Sequence, residues 1–568
     1  MSGLRFLTAG ESHGPALLGI LDGLPAGLSL LAEHFARDLQ RRKLGYGRGG
    51  RMKIEPEEPR ILCGVRHGQT LGSPLGVLIE NADHLKAWAE RMAVGVSDEP
   101  GKEVTLPRPG HADLTGAIKF GHRDLRNSLE RASARETAMR VALGAAARRL
   151  LDELDIRIGS FVTSIGTAQT RDISELEPEL SRDDAEALAL KADSSSVRCL
   201  DPLAEPLLRA AIEEAQAHRD TIGGSFEVRV TGLPPGLGSY TQQDLRLDAL
   251  LARALASIPA IKAVELGDGF RASALLGSQV HDPIARLGGG LVRPTNHAGG
   301  LEGGVSNGEP LVVRAFMKPI ATVPAALGSV DLLSGLDGKA HVERSDTCAV
   351  PAAAVVGEAV VALAIADVLL GKLGGDSMNE LHQSLRLAWR RARLLPGHLY
   401  LCGLPGAGKS TVAPLLGERL GIPSLDLDSI IEREAGLSVP EIFAKEGEAG
   451  FRAREARALR SAASGSPSVI ALGGGSVTAR AVRALVRRTG HLIWLDAEPA
   501  QCAVRAAAGR PLLSGDPLAR VTELAAARNP LYARLADARV DTSAQPADRA
   551  ADQACAAVLA LEAQRAHR

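Results

Sequence analysis

Gly403 to Thr411 reads GLPGAGKST and puts Gly403, Gly408, Lys409 and Ser410 on the fixed positions of G-x-x-x-x-G-K-[ST]. Glycine is needed there because successive backbone N–H groups must turn inward around a phosphate, where a Cβ would block the approach. Lysine can reach the β- and γ-phosphates, and the serine hydroxyl can ligate Mg²⁺. The flanks fit this chemistry. His398-Leu399-Tyr400-Leu401-Cys402 reads as a buried strand, and Ser410 to Leu420 reads as a helix carrying apolar Val412, Leu415, Leu416 and Leu420. The anion then sits at a helix N-terminus. The stretch is a nucleotide site.

A second set of polar residues lies on loops far upstream. FLTAGESHG, from Phe6 to Gly14, runs from a strand into His13, set among small residues. A lone histidine is often structural, yet one placed after a strand can also face a ligand. A helix from Leu30 to Lys43 ends in Arg41, Arg42 and Lys43, and GYGRGGRMKIE follows with Arg48 and Arg51 among glycines. Basic residues at a helix end commonly serve the dipole; arginines spaced by glycine point instead to an anion that needs both forks and close backbone approach. PRPGHAD carries His111, and ERASARET opens an alanine-rich helix, again a place for phosphate. GGLEGGVSNG reads as backbone packed close to a flat ligand or chain; KPIAT (Lys318 to Thr322) and RSD (Arg344 to Asp346) are further loop-borne polar segments. By residue type alone this half is an anion-binding enzyme with two histidines.

Elements that position these groups need more than one core. At 568 residues two or three domains are expected, and only the last ~170 residues can belong to the phosphate loop's domain. The expected division is 1–375, a linker over 376–397, and 398–568. The linker helix, crowded with Arg386, Arg390, Arg391 and Arg393, reads as a solvated connector. A net charge of −1 gives no field favouring nucleic acid or an anionic membrane. Six scattered cysteines form no CxxC pair, so neither a disulfide framework nor a zinc site is expected, and a reducing, cytoplasmic setting fits. Val350 to Leu370 is strongly apolar but holds Pro351, Glu358 and Asp367, which predicts a buried helix rather than a membrane span. No basic-then-apolar leader is apparent at the N-terminus.

The ordered set GESHG, GYGRG-x-RM, RPGHAD, ERASARET, GGVSNG and RSD resembles chorismate synthase from about Arg5 to about Leu373. The resemblance implies a β-α-β sandwich with helices between antiparallel sheets, a homotetramer, and reduced FMN. It also implies anti 1,4-elimination of phosphate from 5-enolpyruvylshikimate 3-phosphate, giving chorismate. On the matched positions His13 would protonate the departing phosphate, Arg42 and Arg48 would hold it, and His111 would sit by the reduced flavin. Asp346 would work with flavin N5 to accept the proton lost from substrate, with Arg344 beside it. Arg131, Ala132, Ser133, Pro259, Ala260, Gly303, Lys318, Pro319, Ile320, Ala321 and Thr322 fall on flavin-contacting segments. Pro259 stands where the family often has an amide residue, and KPIAT lacks the hydroxyls of the common KPTSS form.

GLPGAGKST, DLD, FRAREAR, ALGGGSV, GRPLLSG and RNPLYARLA, over about Leu399 to Thr542, resemble shikimate kinase, an α/β P-loop domain with a parallel sheet. By that resemblance Gly406, Ala407, Gly408, Lys409, Ser410 and Thr411 hold ATP, with Arg510 reaching it from a lid. Lys409 would be catalytic, Ser410 and Asp426 would hold Mg²⁺, and Asp428, Arg452, Gly474 and Arg528 would bind shikimate. Gln545 replaces a basic residue that some relatives place near adenine. One rival is a gluconate- or nucleoside-type kinase joined to a flavoprotein, which Asp428, Arg452 and the glycine triplet disfavour. The other is that one half is an inactive scaffold, which intact His13, His111, Asp346, Lys409 and Ser410 disfavour. No GxGxxG unit is apparent, so no built-in flavin reductase is expected.

Overall fold

The most apolar segment of the chain became its central helix, Val350–Leu373, with Glu358 completely buried inside it. The structure, a computed structural model, describes residues 3–49, 55–97, 101–178, 180–506 and 516–566. Contacts divide these into two compact units, residues 1–281 with 296–381, and residues 282–295 with 382–568.

In the first unit, Val350–Leu373 packs on helix Thr137–Glu153, and this pair lies between two sheets. One sheet has four antiparallel strands in the order Arg5–Ala9, Ala16–Asp22, Leu75–Glu80, Pro59–Cys63. The other has five, also antiparallel, in the order Ile261–Leu266, Leu311–Met317, Gly224–Thr231, Arg157–Ile165, Ala168–Gln169. This is the β-α-β sandwich. Gly19 and Gly144 permit the close layering. A Cβ on Gly19 would meet Met139 Sδ at 2.4 Å, and one on Gly144 would meet the Ala359 Cβ at 2.5 Å. Glu358 stays ionised at the centre because Arg41 donates to both its oxygens at 2.7 and 2.9 Å, Ser160 donates at 2.6 Å, and Arg148 and Arg198 join them. Burial opposes that charge, but the surrounding guanidinium groups hold the carboxyl well below the usual range. This helix is long and apolar enough to cross a membrane, yet 78% of its most apolar window is buried in the protein.

The second unit is built on a five-stranded parallel sheet in the order Ser424–Asp426, Val469–Ala471, His398–Cys402, Gly490–Asp496, Ala538–Asp541. His398–Cys402 is buried at every position, as its unbroken apolar run predicts for a central parallel strand. Strand order reverses on either side of it, which creates the crevice where such sheets gather ligands. Two segments outside the expected 398–568 span belong here. The hairpin Ala285–Leu287 and Gly290–Val292 docks through Gly289 N–H, which donates to the Thr489 carbonyl at 2.9 Å. Helix Met378–Ala392 corrects the solvated-connector reading. In this unit Leu385 and Trp389 are buried, Arg386 donates to the Ala536 carbonyl at 2.9 Å, and Arg393 is buried against Asp537. Its arginines bind backbone and carboxylate while its apolar stripe packs.

Candidate active sites

A cavity of ≈ 410 Å³ opens in the first unit, and seven parts of the sequence meet on it. The loop after the first strand supplies His13, the end of helix Ala32–Lys43 supplies Arg42, and the following glycine segment supplies Arg48. His111, Ala132, Ser133, Pro259, Ala260, Lys318, Ile320, Ala321, Thr322, Arg344 and Asp346 complete the expected residues on its wall. Arg131, Gly303 and Pro319 are not on it. Arg131 turns to the backbone of the first strand, donating to Thr8 and Gly10 carbonyls at 2.9 and 3.1 Å. Gly303 sits at the tip of the hairpin Leu301–Glu302 and Val305–Ser306. Ala352, Ala353 and Val356 at the start of the central helix give one apolar side, suited to a flat ring system, while Arg42 and Arg48 give a cationic one.

The polar groups are tightly tied. Arg42 is fixed by Glu57 at 2.9 Å, by Thr137 Oγ1 at 2.9 Å and by the Ala134 carbonyl at 3.0 Å. Arg48 and the Gly49 N–H both donate to Asp346, at 2.5 and 2.6 Å, so a residue expected at the phosphate and one expected at the flavin are paired. Burial, with Arg42 nearby, pulls Arg48 below its ordinary value despite Asp346, which marks a place short of negative charge. His111 meets Asp113 at 2.6 Å through Nδ1, and Arg108 binds the same carboxylate through Nε and Nη2 at 2.8 and 3.0 Å. Burial would raise the Asp113 carboxyl, but His111 and Arg108 hold it well below the usual range. His13 stacks on Trp88 with ring centres 4.0 Å apart and shares both oxygens of Glu130. The motif reading missed Arg108, Asp113, Glu130 and Trp88 as site residues. The first three lie inside or beside RPGHAD and ERASARET, whereas nothing in the sequence around Trp88 brings it to His13.

In the second unit the phosphate loop follows the central strand into helix Lys409–Leu420. Gly406 and Gly408 have φ of +86 and +95, and a Cβ on Gly406 would lie 2.3 Å from the Cys502 carbonyl oxygen, so the loop's shape requires glycine. Lys409 Nζ donates to the carbonyls of Gly403 and Leu404 at 2.9 and 3.0 Å. Asp426 caps helix Leu427–Ala435, its Oδ1 accepting from the N–H groups of Asp428 and Ser429. Gly474 abuts Pro405 of the loop, Gly473 abuts the Asp428 carboxylate and Gly475 abuts the Arg452 guanidinium, so the triplet joins nucleotide and acceptor sides. Arg452 is held by Glu455 at 2.7 Å, and Tyr532 donates to the Gly474 carbonyl at 2.5 Å. Arg528 is nine-tenths buried and its Nη1 has no hydrogen-bond partner among the described residues, a donor suited to an anionic ligand. Arg510 lies outside the described residues. Among the described residues no cluster of three His, Cys, Asp or Glu is placed to hold a metal ion.

Two family models match the chain: Chorismate synthase over residues 4–370 and Shikimate kinase over residues 405–559. A chorismate synthase of Rubrobacter xylanophilus is 52% identical over 389 residues, covering 68% of this chain and 97% of that protein. One from Trichlorobacter lovleyi is 54% identical over 390 residues, covering 67% and 97%. A solved crystal structure of chorismate synthase aligns at a TM-score of 0.55 with 40% identity, covering 69% of this chain and 98% of that one.

Proposed function

The chain belongs to the chorismate synthase family and carries a shikimate kinase domain behind it, and from that premise we propose how its two sites work. The first eliminates phosphate from 5-enolpyruvylshikimate 3-phosphate to give chorismate. The second transfers a phosphoryl group from ATP to shikimate, giving shikimate 3-phosphate. We assign the first activity to residues 1–375 and the second to 398–568.

In the synthase site a C–O bond to phosphate breaks and a C–H proton leaves. His13 gives a proton to the departing phosphate, and Arg42 and Arg48 hold it. Phosphate arriving at Arg48 takes over a guanidinium now paired with Asp346, which leaves that carboxylate free to accept the substrate proton. His111, oriented by Asp113, stands beside the flavin place. Acid–base help of this kind is commonly worth about 10²–10⁴-fold. The apolar start of the central helix suits the flat ring of FMN, leaving Arg42 and Arg48 to the substrate phosphate. Reduced FMN, when bound, supplies a redox centre that is unchanged over the whole turnover. The observation that carries this reading is the meeting of His13, His111 and Asp346 with two arginines on one cavity.

In the kinase site Lys409 would exchange its loop carbonyls for the β- and γ-phosphates, and Ser410 with Asp426 would hold Mg²⁺. Asp428 binds shikimate hydroxyls beside Gly474, while Arg452 and the unpaired Nη1 of Arg528 take the carboxylate. The scattered cysteines and near-neutral net charge support a cytoplasmic enzyme of small-molecule substrates that binds neither nucleic acid nor membrane. A homotetramer through the synthase domain is supported by its edge strand Arg5–Ala9, which leaves Phe6 and Leu7 exposed.

Assaying both reactions on one purified sample tests the reading. Chorismate and inorganic phosphate form only with reduced FMN under anaerobic conditions, and ADP forms only with shikimate. His13→Ala and His111→Ala each slow chorismate formation by about 10²-fold or more while FMN still binds. Full turnover in either variant removes that histidine's role.

A further inference from the structure

Glu130 is almost completely buried, and its carboxylate is shared between His13 and Arg126. Both its oxygens lie 3.0 Å from His13 Nδ1, its Oε2 also accepts the His13 backbone N–H at 2.9 Å, and its Oε1 accepts from Arg126 at 2.8 Å. Its own carbonyl accepts the Ser12 N–H at 3.0 Å, so it grips the histidine loop from both ends. Trp88 covers the imidazole at 4.0 Å, and Arg126 lies over the outer region of that indole, 4.9 Å from its centre. The other charged or titratable neighbours are His84, bonded to the His13 carbonyl, and Glu343, on the far side of Arg126. Burial would protonate Glu130, but His13 and Arg126 outweigh it and keep the carboxyl below its ordinary value.

We propose that Glu130 is the positioning residue for His13, fixing the hydrogen on Nδ1 so that the proton exchanged with ligand is always the one on Nε2. A carboxylate has no hydrogen to give, so Nδ1 must donate whether the ring is neutral or charged. Nε2 makes no hydrogen bond among the described residues, and His13 lines the cavity. Trp88 prevents the ring from flipping out of this geometry, and Arg126 keeps the carboxylate from turning away. The proposal rests on His13 as proton donor to the departing phosphate.

Glu130→Gln keeps shape and most contacts but offers an amide that can accept or donate. The ¹⁵N spectrum of His13, assigned by difference from His13→Ala, shows Nδ1–H as the single neutral tautomer in the parent protein and a mixture in the variant. The kcat for chorismate formation falls on the order of 10²-fold or more, as tautomer errors do, with KM and FMN binding within about twofold. Glu130→Asp restores part of kcat and the tautomer, whereas a merely structural role would penalise it as heavily as Gln. Retention of the Nδ1–H signal and of the parent kcat in folded, FMN-binding Glu130→Gln overturns the proposal, as does equal loss in Asp and Gln. Normal turnover of His13→Ala with the tautomer shift intact would instead remove the donor reading and leave Glu130's positioning in place.

Discussion

At Lys409 the ammonium donates to the carbonyls of Gly403 and Leu404 in its own loop, and all three residues lie in the second unit. Lys409→Ala should therefore abolish ATP-dependent phosphorylation, by about 10³-fold or more, while chorismate formation on the same sample stays within twofold. Loss of both in a folded variant would show that the two activities are not independent. Arg452 is a different case. Glu455 and Glu448 orient its planar fork toward the glycine triplet. Arg452→Lys retains charge and loses the bidentate geometry, so the shikimate KM should rise about 10-fold or more with ATP affinity nearly unchanged. Equal weakening of nucleotide in a binding titration assigns Arg452 to another ligand. Single residues such as these were legible because each sits in a short motif whose chemistry demands its type. Trp88 and Asp113 were not read as site residues, since stacking and second-neighbour hydrogen bonds leave no fixed spacing.

Helices and strands carry their own signal in proportion to how simply they are buried. Val350–Leu373 was readable as a buried helix because an apolar run holding Glu358 is too costly for lipid; its partners Arg41, Arg148 and Arg198 are brought from distant segments and could not be paired by eye. Helix Met378–Ala392 misled for the opposite reason. Its apolar positions at Leu381, Leu385 and Trp389 are interleaved with arginines that pack rather than point to water. The hairpin of 285–292 left no signal at all, for its docking depends on glycines that let backbone meet backbone, Gly289 against Gly397 above all. Glu358→Gln should lower the stability of the first unit by about 3–5 kcal/mol, because buried guanidinium groups lose their counter-charge. The pH sign follows from the depressed carboxyls. Glu358, Asp113 and Glu130 have folded values below their ordinary ones, so their stabilisation is full above about pH 5 and is lost as pH falls through the folded values. Denaturant midpoints should fall with acid in the parent protein and fall less steeply in Glu358→Gln. Parallel slopes would mean that Glu358 is not ionised in the core.

For the molecule as a whole, the chemistry of the two sites limits what joining them can do. The kinase product, shikimate 3-phosphate, lacks the enolpyruvyl ether that the synthase substrate must carry. Making that ether requires phosphoenolpyruvate and a transferase. The matched segments, residues 4–370 and 405–559, leave no stretch of these 568 residues long enough for such a domain. Product of one site therefore cannot be handed to the other without leaving for a third enzyme, and co-expression is the plainer benefit of the fusion. Shikimate, ATP, Mg²⁺ and reduced FMN incubated anaerobically with this protein alone should give shikimate 3-phosphate and stop, with no absorbance from chorismate at any time. Adding phosphoenolpyruvate alone should change nothing; adding the transferase with it should start chorismate release after a lag set by its own turnover. Chorismate formed in the unsupplemented mixture, with contaminating transferase excluded by immunodepletion or a selective inhibitor, would mean that one of the two sites performs a reaction other than the one assigned to it.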